Sequence, residues 1–240
     1  MTRILVVNCS PRLRNNSSFL AERAIKGALS VKDVEIDTYE FANKQFNGCM
    51  ASCMDYCMKN GTCCQKDDFN TFREKYIAAD GVIWVAPTYH VGPPAQTKAV
   101  IDRLCNSLFS YLKGSMPRFN KVCSIITQGS TRWGGQEFVE QFFLESFMLM
   151  KCIPVAGDMP KSYFGVAGYA PTWEYGSIKE DEVALDCAEV IGTRTAEMAK
   201  VIKAGLEACR DELPKSYFFF DVLEERNNRH EKIDMAWQKK

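Results

Sequence analysis

Five cysteines fall within sixteen residues of this sequence, whereas eleven are present in the whole chain. If Cys49, Cys53 and Cys57 lie on a helix, their spacing of four places three thiols on one face, and Cys63 or Cys64 completes the set. Thiolates grouped in this way can hold an iron–sulfur cluster or a structural zinc ion, and they can also form a redox disulfide or remain unliganded. The segment is therefore a first candidate for chemistry.

A polar segment at positions 10–18, SPRLRNNSS, is a second candidate and is suited to binding phosphate. Phosphate groups bind well at helix N-termini, where backbone N–H groups and the positive end of the helix dipole converge. The chain contains neither G-x-G-x-x-G nor G-x-x-x-x-G-K-[ST], so a mononucleotide phosphate fits better than a pyrophosphate. The side chains predicted to serve this group are Ser10, Arg12, Asn16, Ser17 and Ser18.

Strands and helices must hold these two segments in place. Continuous apolar runs rich in β-branched residues predict five buried strands, at 3–9, 34–41, 81–89, 121–127 and 153–156. Ser17 or Ser18 is the predicted N-cap of a first helix. Apolar residues at helical spacing predict further helices at 95–112, 136–150 and 181–209.

The alternation of strands and helices predicts an α/β fold, because parallel strands need crossover connections that cover both faces of a sheet. We therefore expect a three-layer sandwich, with a five-stranded parallel sheet between helices. Ligands of such open sheets bind beyond the carboxyl ends of the strands. The loops that follow Cys9, Thr88 and Thr127 should accordingly meet in one site.

Two separated blocks of sequence carry a family resemblance. Residues 10–17 are similar to a loop that reads roughly G-S-P-R-x-x-[GS]-N-[ST], with Cys9 in place of the glycine. Residues 79–90, ADGVIWVAPTYH, and 98–103, KAVIDR, are similar to a second block of the same family. On these motifs the chain resembles the NADPH-dependent FMN reductase family of the flavodoxin-like superfamily. The resemblance implies a flavodoxin-like fold and FMN as cofactor.

The resemblance also implies which residues contact the flavin ring. The residues after the third strand that should face it are Pro87, Thr88, Tyr89, His90 and Val91. The loop QGSTRWGG at 128–135, with Gly129 and Ser130, resembles the loop that contacts the far edge of the ring. Within that loop, Trp133 either stacks on a ligand or anchors the loop by packing.

The cysteine segment lies where iron–sulfur flavoproteins of this family carry a C-x2-C-x2-C-x(4-7)-C motif followed by D-D-[FM]. Here Asp67, Asp68 and Phe69 match the trailing signature, although the first three cysteines are separated by three residues instead of two. By resemblance the segment binds a [4Fe-4S] cluster. The expected ligands are Cys49, Cys53, Cys57 and Cys63.

The resemblance implies an FMN-dependent NAD(P)H:acceptor oxidoreductase that reduces a quinone, a flavin, or a nitro or azo compound. An alternative is an iron–sulfur flavoprotein that transfers electrons between ferredoxin and a partner. A third hypothesis is a redox sensor that responds to the oxidation state of its thiols. The absence of a DNA-binding motif weighs against direct control of genes by such a sensor. No catalytic residue is assigned, because FMN itself carries the hydride and electron steps.

The overall charge excludes several classes of partner. Lys plus Arg and Asp plus Glu each number 30, so no global field draws the chain to nucleic acid or an anionic membrane. The N-terminal residues lack a secretory signal pattern, and no apolar stretch approaches a membrane span. We therefore expect a cytoplasmic protein whose partners are a small-molecule acceptor and NAD(P)H or ferredoxin.

Residues 1–210 are predicted to form one flavodoxin-like FMN-binding domain with a cysteine-rich insertion at 48–68. Residues 211–240 form a C-terminal extension, interpreted as an interface arm, with a peripheral helix on the same subunit as the alternative. The segment 158–178 is long and rich in glycine and aromatics, so it either roofs the flavin or, as we favour, lies in a dimer contact. By resemblance the chain forms a homodimer or homotetramer.

Overall fold

The structure is a computed structural model that describes residues 1–112 and 118–228. In chain order its strands are β1 (Thr2–Asn8), β2 (Val34–Glu40), β3 (Gly81–Pro87), β4 (Val122–Gly129), β5 (Ile153–Pro154) and β6 (Val166–Tyr169). Its α-helices are α1 (Ser17–Leu29), α2 (Met54–Asn60), α3 (Phe69–Ala78), α4 (Ala95–Tyr111), α5 (Gln136–Leu149), α6 (Glu182–Ala208) and α7 (Phe219–Asn228). Short 3₁₀ helices precede α6 and α7.

The strands form one parallel sheet in the order β2-β1-β3-β4-β5, and β6 also pairs with β4. β5 pairs with the start of β4, where Val122 lies opposite Ile153. β6 pairs with its end, where Gly129 lies opposite Tyr169. The two short strands thus share one edge of β4, and residues 155–165 connect them.

Helices cover both faces of the sheet. Side chains alternate along β1, so Ile4 and Val6 join the core on the α1 and α6 side, whereas Leu5 and Val7 join the core on the other side. On that second side, the rings of Phe72 in α3 and Phe143 in α5 lie 5.7 Å and 5.4 Å from the ring of Trp84 in β3. This two-sided burial explains why the central strands are continuous apolar runs.

α1 and α6 approach each other backbone to backbone. A Cβ atom added to Gly192 would lie 2.0 Å from the carbonyl oxygen of Ala24, and one added to Gly27 would lie 1.9 Å from that of Glu189. Only glycine fits at these two crossing points.

The predicted α/β fold is confirmed, including all five predicted strands in a parallel sheet with helices on both faces. The sequence prediction missed α3 and the four-residue strand β6. β6 contains Gly168 and is held mainly by its pairing with β4, so it leaves little local pattern in the sequence.

The described part of the C-terminal extension packs against its own chain. The Phe219 ring of α7 stacks on Phe119 at 4.7 Å. Arg226 donates from Nε to the carbonyl oxygen of Tyr111 at 3.0 Å and from a terminal nitrogen to that of Met58 at 3.5 Å. α7 therefore contacts the ends of α4 and α2. Residues 229–240 lie outside the described residues, so the interface arm stays a prediction.

Within residues 1–112 and 118–228, none of the helices combines the length and apolar character needed to cross a membrane.

Candidate functional site

The loops that follow β1, β3 and β4 meet in a cleft of ≈ 290 Å³ at the carboxyl edge of the sheet. Seven of the twelve residues predicted to bind cofactor line it, namely Arg12, Asn16, Pro87, Thr88, Tyr89, Gly129 and Ser130. Four further residues line the cleft, namely Gln128, Ala170, Thr172 and Trp173. Gln128 belongs to the loop 128–135 that was predicted to contact the ring, and the other three belong to the segment 158–178, for which a roof over the flavin was one of the two predicted roles. The predicted meeting of these loops is thus present.

Asn15 organises the first loop. Its Oδ1 accepts hydrogen bonds from the Asn8 amide at 3.2 Å and from the backbone N–H of Ser18 at 2.9 Å, at the start of α1. The Ser18 hydroxyl donates to the carbonyl oxygen of Asn15 at 2.7 Å. Ser10 and Ser17 are buried, and their hydroxyl oxygens accept hydrogen bonds from the Arg12 N–H at 3.3 Å and from the Gln128 amide at 3.4 Å. The hydroxyl proton of Ser18 is therefore used in a hydrogen bond within the loop itself.

Arg12 and Asn16 join the first loop to a wall formed by residues 172–177. Arg12 donates to the carbonyl oxygen of Trp173 at 3.0 Å. The Asn16 amide nitrogen donates to the carbonyl oxygen of Glu174 at 3.1 Å and to Ser177 Oγ at 3.1 Å, and its Oδ1 accepts from the Gly176 N–H at 2.8 Å. The side chain of Asn16 is thus fully committed to holding this wall.

A tight turn after β3 separates the predicted flavin contacts into two groups. Tyr89 and Gly92 exchange backbone hydrogen bonds of 2.8 Å and 3.1 Å, and His90 and Val91 between them have φ of 46° and 63°. Both side chains of the turn are exposed. Pro87, Thr88 and Tyr89 therefore line the cleft, whereas His90 and Val91 lie outside its lining. A β-branched residue with positive φ is strained, and such strain commonly accompanies functional loops.

Gln136 holds the loop after β4 in place. Its Nε2 donates to the carbonyl oxygens of Thr131 at 2.7 Å and Gly168 at 3.3 Å, and its Oε1 accepts from the Gly134 N–H at 2.9 Å. The buried amide thus connects the loop to β6. A glutamine at the first position of a helix gives no sequence signal for this role. Trp133, in the same loop, is 89% exposed and does not line the cleft.

The lining of the cleft fits a flavin mononucleotide. It offers amide and hydroxyl groups, two glycine or alanine positions for close approach, the aromatic side chains of Tyr89 and Trp173, and the cation of Arg12. No carboxylate lines the cleft within the described residues, so nothing there repels a phosphate. Such a lining suits a cofactor that brings its own redox chemistry.

The cysteine segment contains a helix, but it begins only at Met54. Cys53 is its N-cap and Cys57 lies one turn later, whereas Cys49 precedes the helix. The expectation that all three share one helical face is therefore wrong for Cys49. Gly61 ends α2 with φ of 64°, and Cys63 and Cys64 follow this turn.

The thiols of the segment lie close enough to influence one another electrostatically. All eleven cysteines are free. Burial, and then the neighbouring thiols led by that of Cys63, raise the pKa of Cys57 to about 11. In the part of the chain that the structure describes, no three metal-ligating side chains converge on one point. The ligand set of Cys49, Cys53, Cys57 and Cys63 therefore stays a prediction. The chemistry of thiolates supports it, but the positions of these side chains do not complete a metal site.

Comparisons with known proteins agree with this geometry. A family model described as NADPH-dependent FMN reductase matches residues 2–162. An iron-sulfur flavoprotein of Methanocaldococcus jannaschii is 30% identical over 203 residues, which cover 84% of this chain and 99% of that protein. An iron-sulfur flavoprotein of Archaeoglobus fulgidus is 32% identical over 202 residues, which cover 81% and 96%.

A solved structure of a flavodoxin, WrbA-like protein from Agrobacterium tumefaciens has a TM-score of 0.54 at 17% identity, covering 84% of this chain and 99% of that one. This likeness supports the flavodoxin-like fold, while the family model spans more than half of the chain. The chain belongs to the NADPH-dependent FMN reductase and iron-sulfur flavoprotein family, and it is an FMN-dependent oxidoreductase.

Proposed function

We propose that this oxidoreductase takes electrons from NAD(P)H and passes them to a small acceptor, namely a quinone, a flavin, or a nitro or azo compound. The observation that carries the proposal is the cleft, where three strand-end loops bring together residues suited to phosphate and to a planar ring. FMN, when bound, supplies the hydride and electron chemistry. The chain needs only to bind it, orient it and leave one face open to substrates.

The residues of the cleft divide the binding of FMN between them. Arg12 and the backbone at the start of α1 suit the phosphate, because a cation and helix N–H groups both attract an anion. Pro87, Thr88 and Tyr89 on one side and Gly129 and Ser130 on the other suit the ring system. Residues 172–177 close the far side of the cleft. This position is in keeping with a roof over the flavin, one of the two roles that the sequence allowed for segment 158–178.

The experiment loads cofactor-free protein with FMN and measures binding by quenching of FMN fluorescence. NADPH and NADH are then tried as donors with a panel of quinone, flavin, nitro and azo acceptors. We expect saturable FMN binding and oxidation of at least one nucleotide. A chain that takes up no FMN would contradict the assignment of the cleft.

We further propose that the cysteine segment binds a [4Fe-4S] cluster. Its support is the concentration of five free thiols in residues 49–64 together with N–H donors directed at two of the sulfurs. Protein prepared without oxygen should contain about four iron and about four sulfide per chain. Zinc alone, or neither metal nor sulfide beside full FMN, would exclude the cluster and leave the reductase intact.

The second candidate function is electron transfer between ferredoxin and a partner protein. The similarity of the chain to iron-sulfur flavoproteins of Methanocaldococcus jannaschii and Archaeoglobus fulgidus favours it. Reduced ferredoxin should then reduce the bound FMN rapidly, while NADPH and NADH fail. Nucleotide oxidation at a rate that supports turnover would instead favour the reductase.

We also propose a cytoplasmic homodimer or homotetramer. The segment 158–178 supports self-association, because the aromatic side chains of Tyr163, Phe164 and Trp173 stand exposed on it. Size-exclusion chromatography with light scattering measures the mass directly. A monomer at micromolar concentration would contradict this proposal.

A further inference from the structure

The turn after β3 has a backbone conformation that its residues rarely adopt. His90 and Val91 occupy its two central positions with φ of 46° and 63°, and Tyr89 and Gly92 close it with two backbone hydrogen bonds. Positive φ at both central positions is the pattern of type I′ turns, which favour Asn and Gly. The β-branched side chain of Val91 makes this conformation costly. The local sequence therefore disfavours the turn, and contacts with the rest of the chain must hold it.

The contact that holds the turn is made with Gly135, the N-cap of α5. Val91 is 53% exposed, so burial of its side chain contributes little. A Cβ atom added to Gly135 would lie 2.9 Å from Val91 Cα and 3.0 Å from Val91 Cγ1, and Gly135 itself has φ of 96°. The two loops therefore touch at their backbones, and a side chain at position 135 would force them apart.

The chain on either side of the turn is also fixed. The backbone N–H of Thr88 donates to the carbonyl oxygen of Gln128 at 2.8 Å, and its hydroxyl lies 3.2 Å from that of Thr127. Pro93 and Pro94 follow the turn and restrict the backbone up to the start of α4. The conformational freedom that remains is that of the turn itself.

Tyr89 is the residue through which the turn reaches the cleft. It lines the cleft, and its backbone N–H and carbonyl groups are both bonded to Gly92, so its position follows the conformation of the turn. Strained residues persist where their surroundings over-determine them, and they cluster at ligand-binding sites. A turn that is already held in one conformation does not have to be ordered when a ligand binds.

We propose that Val91 and Gly135 are positioning residues for FMN, because their contact holds the turn and thereby keeps Tyr89 at the wall of the cleft. The inference rests on the assignment of this cleft to FMN. It goes beyond that assignment, since neither Val91 nor Gly135 lines the cleft. The strain at Val91 then lowers the stability of the empty protein and is offset by tighter binding of the cofactor.

The first test is Val91→Gly, which relieves the backbone strain and removes the side-chain contact with Gly135. The melting temperature of the cofactor-free protein should rise by about 2–4 °C, since glycine adopts positive φ freely. The dissociation constant of FMN should rise about tenfold, since the turn must then be ordered on binding. Loss of an ordinary structural residue would instead lower the melting temperature.

The matched control is Ala51→Gly. Ala51 is exposed, has φ of 56° and lies outside the lining of the cleft, so the change also places glycine at a position of positive φ. The control should bind FMN with the affinity of wild type. Melting is followed by circular dichroism, and FMN binding by quenching of FMN fluorescence.

The second test is Gly135→Ala, which pushes on the turn from the other side. This variant should also bind FMN about tenfold more weakly. The double variant Val91→Gly with Gly135→Ala should bind about as tightly as the weaker single variant, because both changes act through one contact. If Gly135→Ala does not fold, as judged by circular dichroism, Val91→Gly decides the question.

Weaker FMN binding by Val91→Gly at an unchanged or higher melting temperature supports the inference. Unchanged binding, or weaker binding together with a lower melting temperature, would overturn it and leave the cleft assigned to FMN. A loss of about a hundredfold in the double variant would also overturn it, because the two residues would then act independently. Wild-type protein that binds no FMN would overturn the assignment of the cleft, and this inference with it.

Discussion

At the scale of single residues, Glu140 of α5 is a carboxylate buried to 8% exposure whose Oε1 has no hydrogen-bond partner. Burial, and then the charge of Glu137, raise the pKa of Glu140 to about 7 from 4.5. Between these values the folded protein binds more protons than the unfolded chain. The free energy of unfolding should therefore fall as the pH rises through this window.

Glu140→Gln should remove this dependence on pH. At about pH 8 the variant should be more stable than wild type by about 2 kcal/mol, and at about pH 4 the two should be nearly equal. Urea unfolding at the two pH values measures the difference. Glu145→Gln, an exposed change further along the same helix, is the control. Equal pH profiles for wild type and Glu140→Gln would show that the folded carboxyl titrates normally.

Asn16→Ala should weaken FMN binding about tenfold. The substitution removes the three hydrogen bonds that hold the far wall of the cleft to the first loop. Fluorescence titration with FMN gives the dissociation constant. Ser18→Ala, next to the same helix start, should bind nearly normally because its hydroxyl serves the loop through Asn15. A larger loss in Ser18→Ala than in Asn16→Ala would reverse these roles.

At the scale of elements, the sequence predicted the strands and helices that are defined by burial. It missed features that depend on strand pairing or on side-chain hydrogen bonds. Strands buried on both faces, such as β1, appear as continuous apolar runs. β6 gains its position from β4, so its four residues carry no such signal. The sequence also could not predict that the side chains of His90 and Val91 lie outside the cleft. Their exposure follows from positive φ angles at both positions, which these residue types rarely adopt.

Gly192→Ala should destabilise the protein by about 3 kcal/mol, because the new methyl group must separate α6 from α1 at their closest approach. Thermal and urea unfolding report the change. Gly205→Ala is a matched control on the same helix, since nothing lies within 4 Å of its added Cβ. It should stabilise the protein by about 0.5–1 kcal/mol through helix propensity. Similar effects from both changes would argue against the close crossing.

At the scale of the whole molecule, the C-terminal extension links the ends of α2 and α4 through α7. A chain that ends at residue 213 should lose about 2–3 kcal/mol of stability, because it exposes the apolar surface around Phe119. Amide exchange in Met54–Asn60 should accelerate. A chain that ends at Asn228 keeps α7 and should resemble wild type in both measurements.

The same two truncations test the interface arm by light scattering. If residues 211–240 span a neighbouring subunit, the shorter chain should assemble into fewer subunits than wild type. An unchanged number of subunits would confine the extension to its own subunit, as the packing of its described part already favours.

The link between the first loop and residues 172–177 has a consequence for how cofactor enters. Arg12 and Asn16 are bonded to the backbone of the opposite wall of the cleft. The rate at which FMN enters between the two walls should therefore depend on how often these hydrogen bonds open and close again. Association measured by stopped flow should then reach a plateau at high FMN concentration.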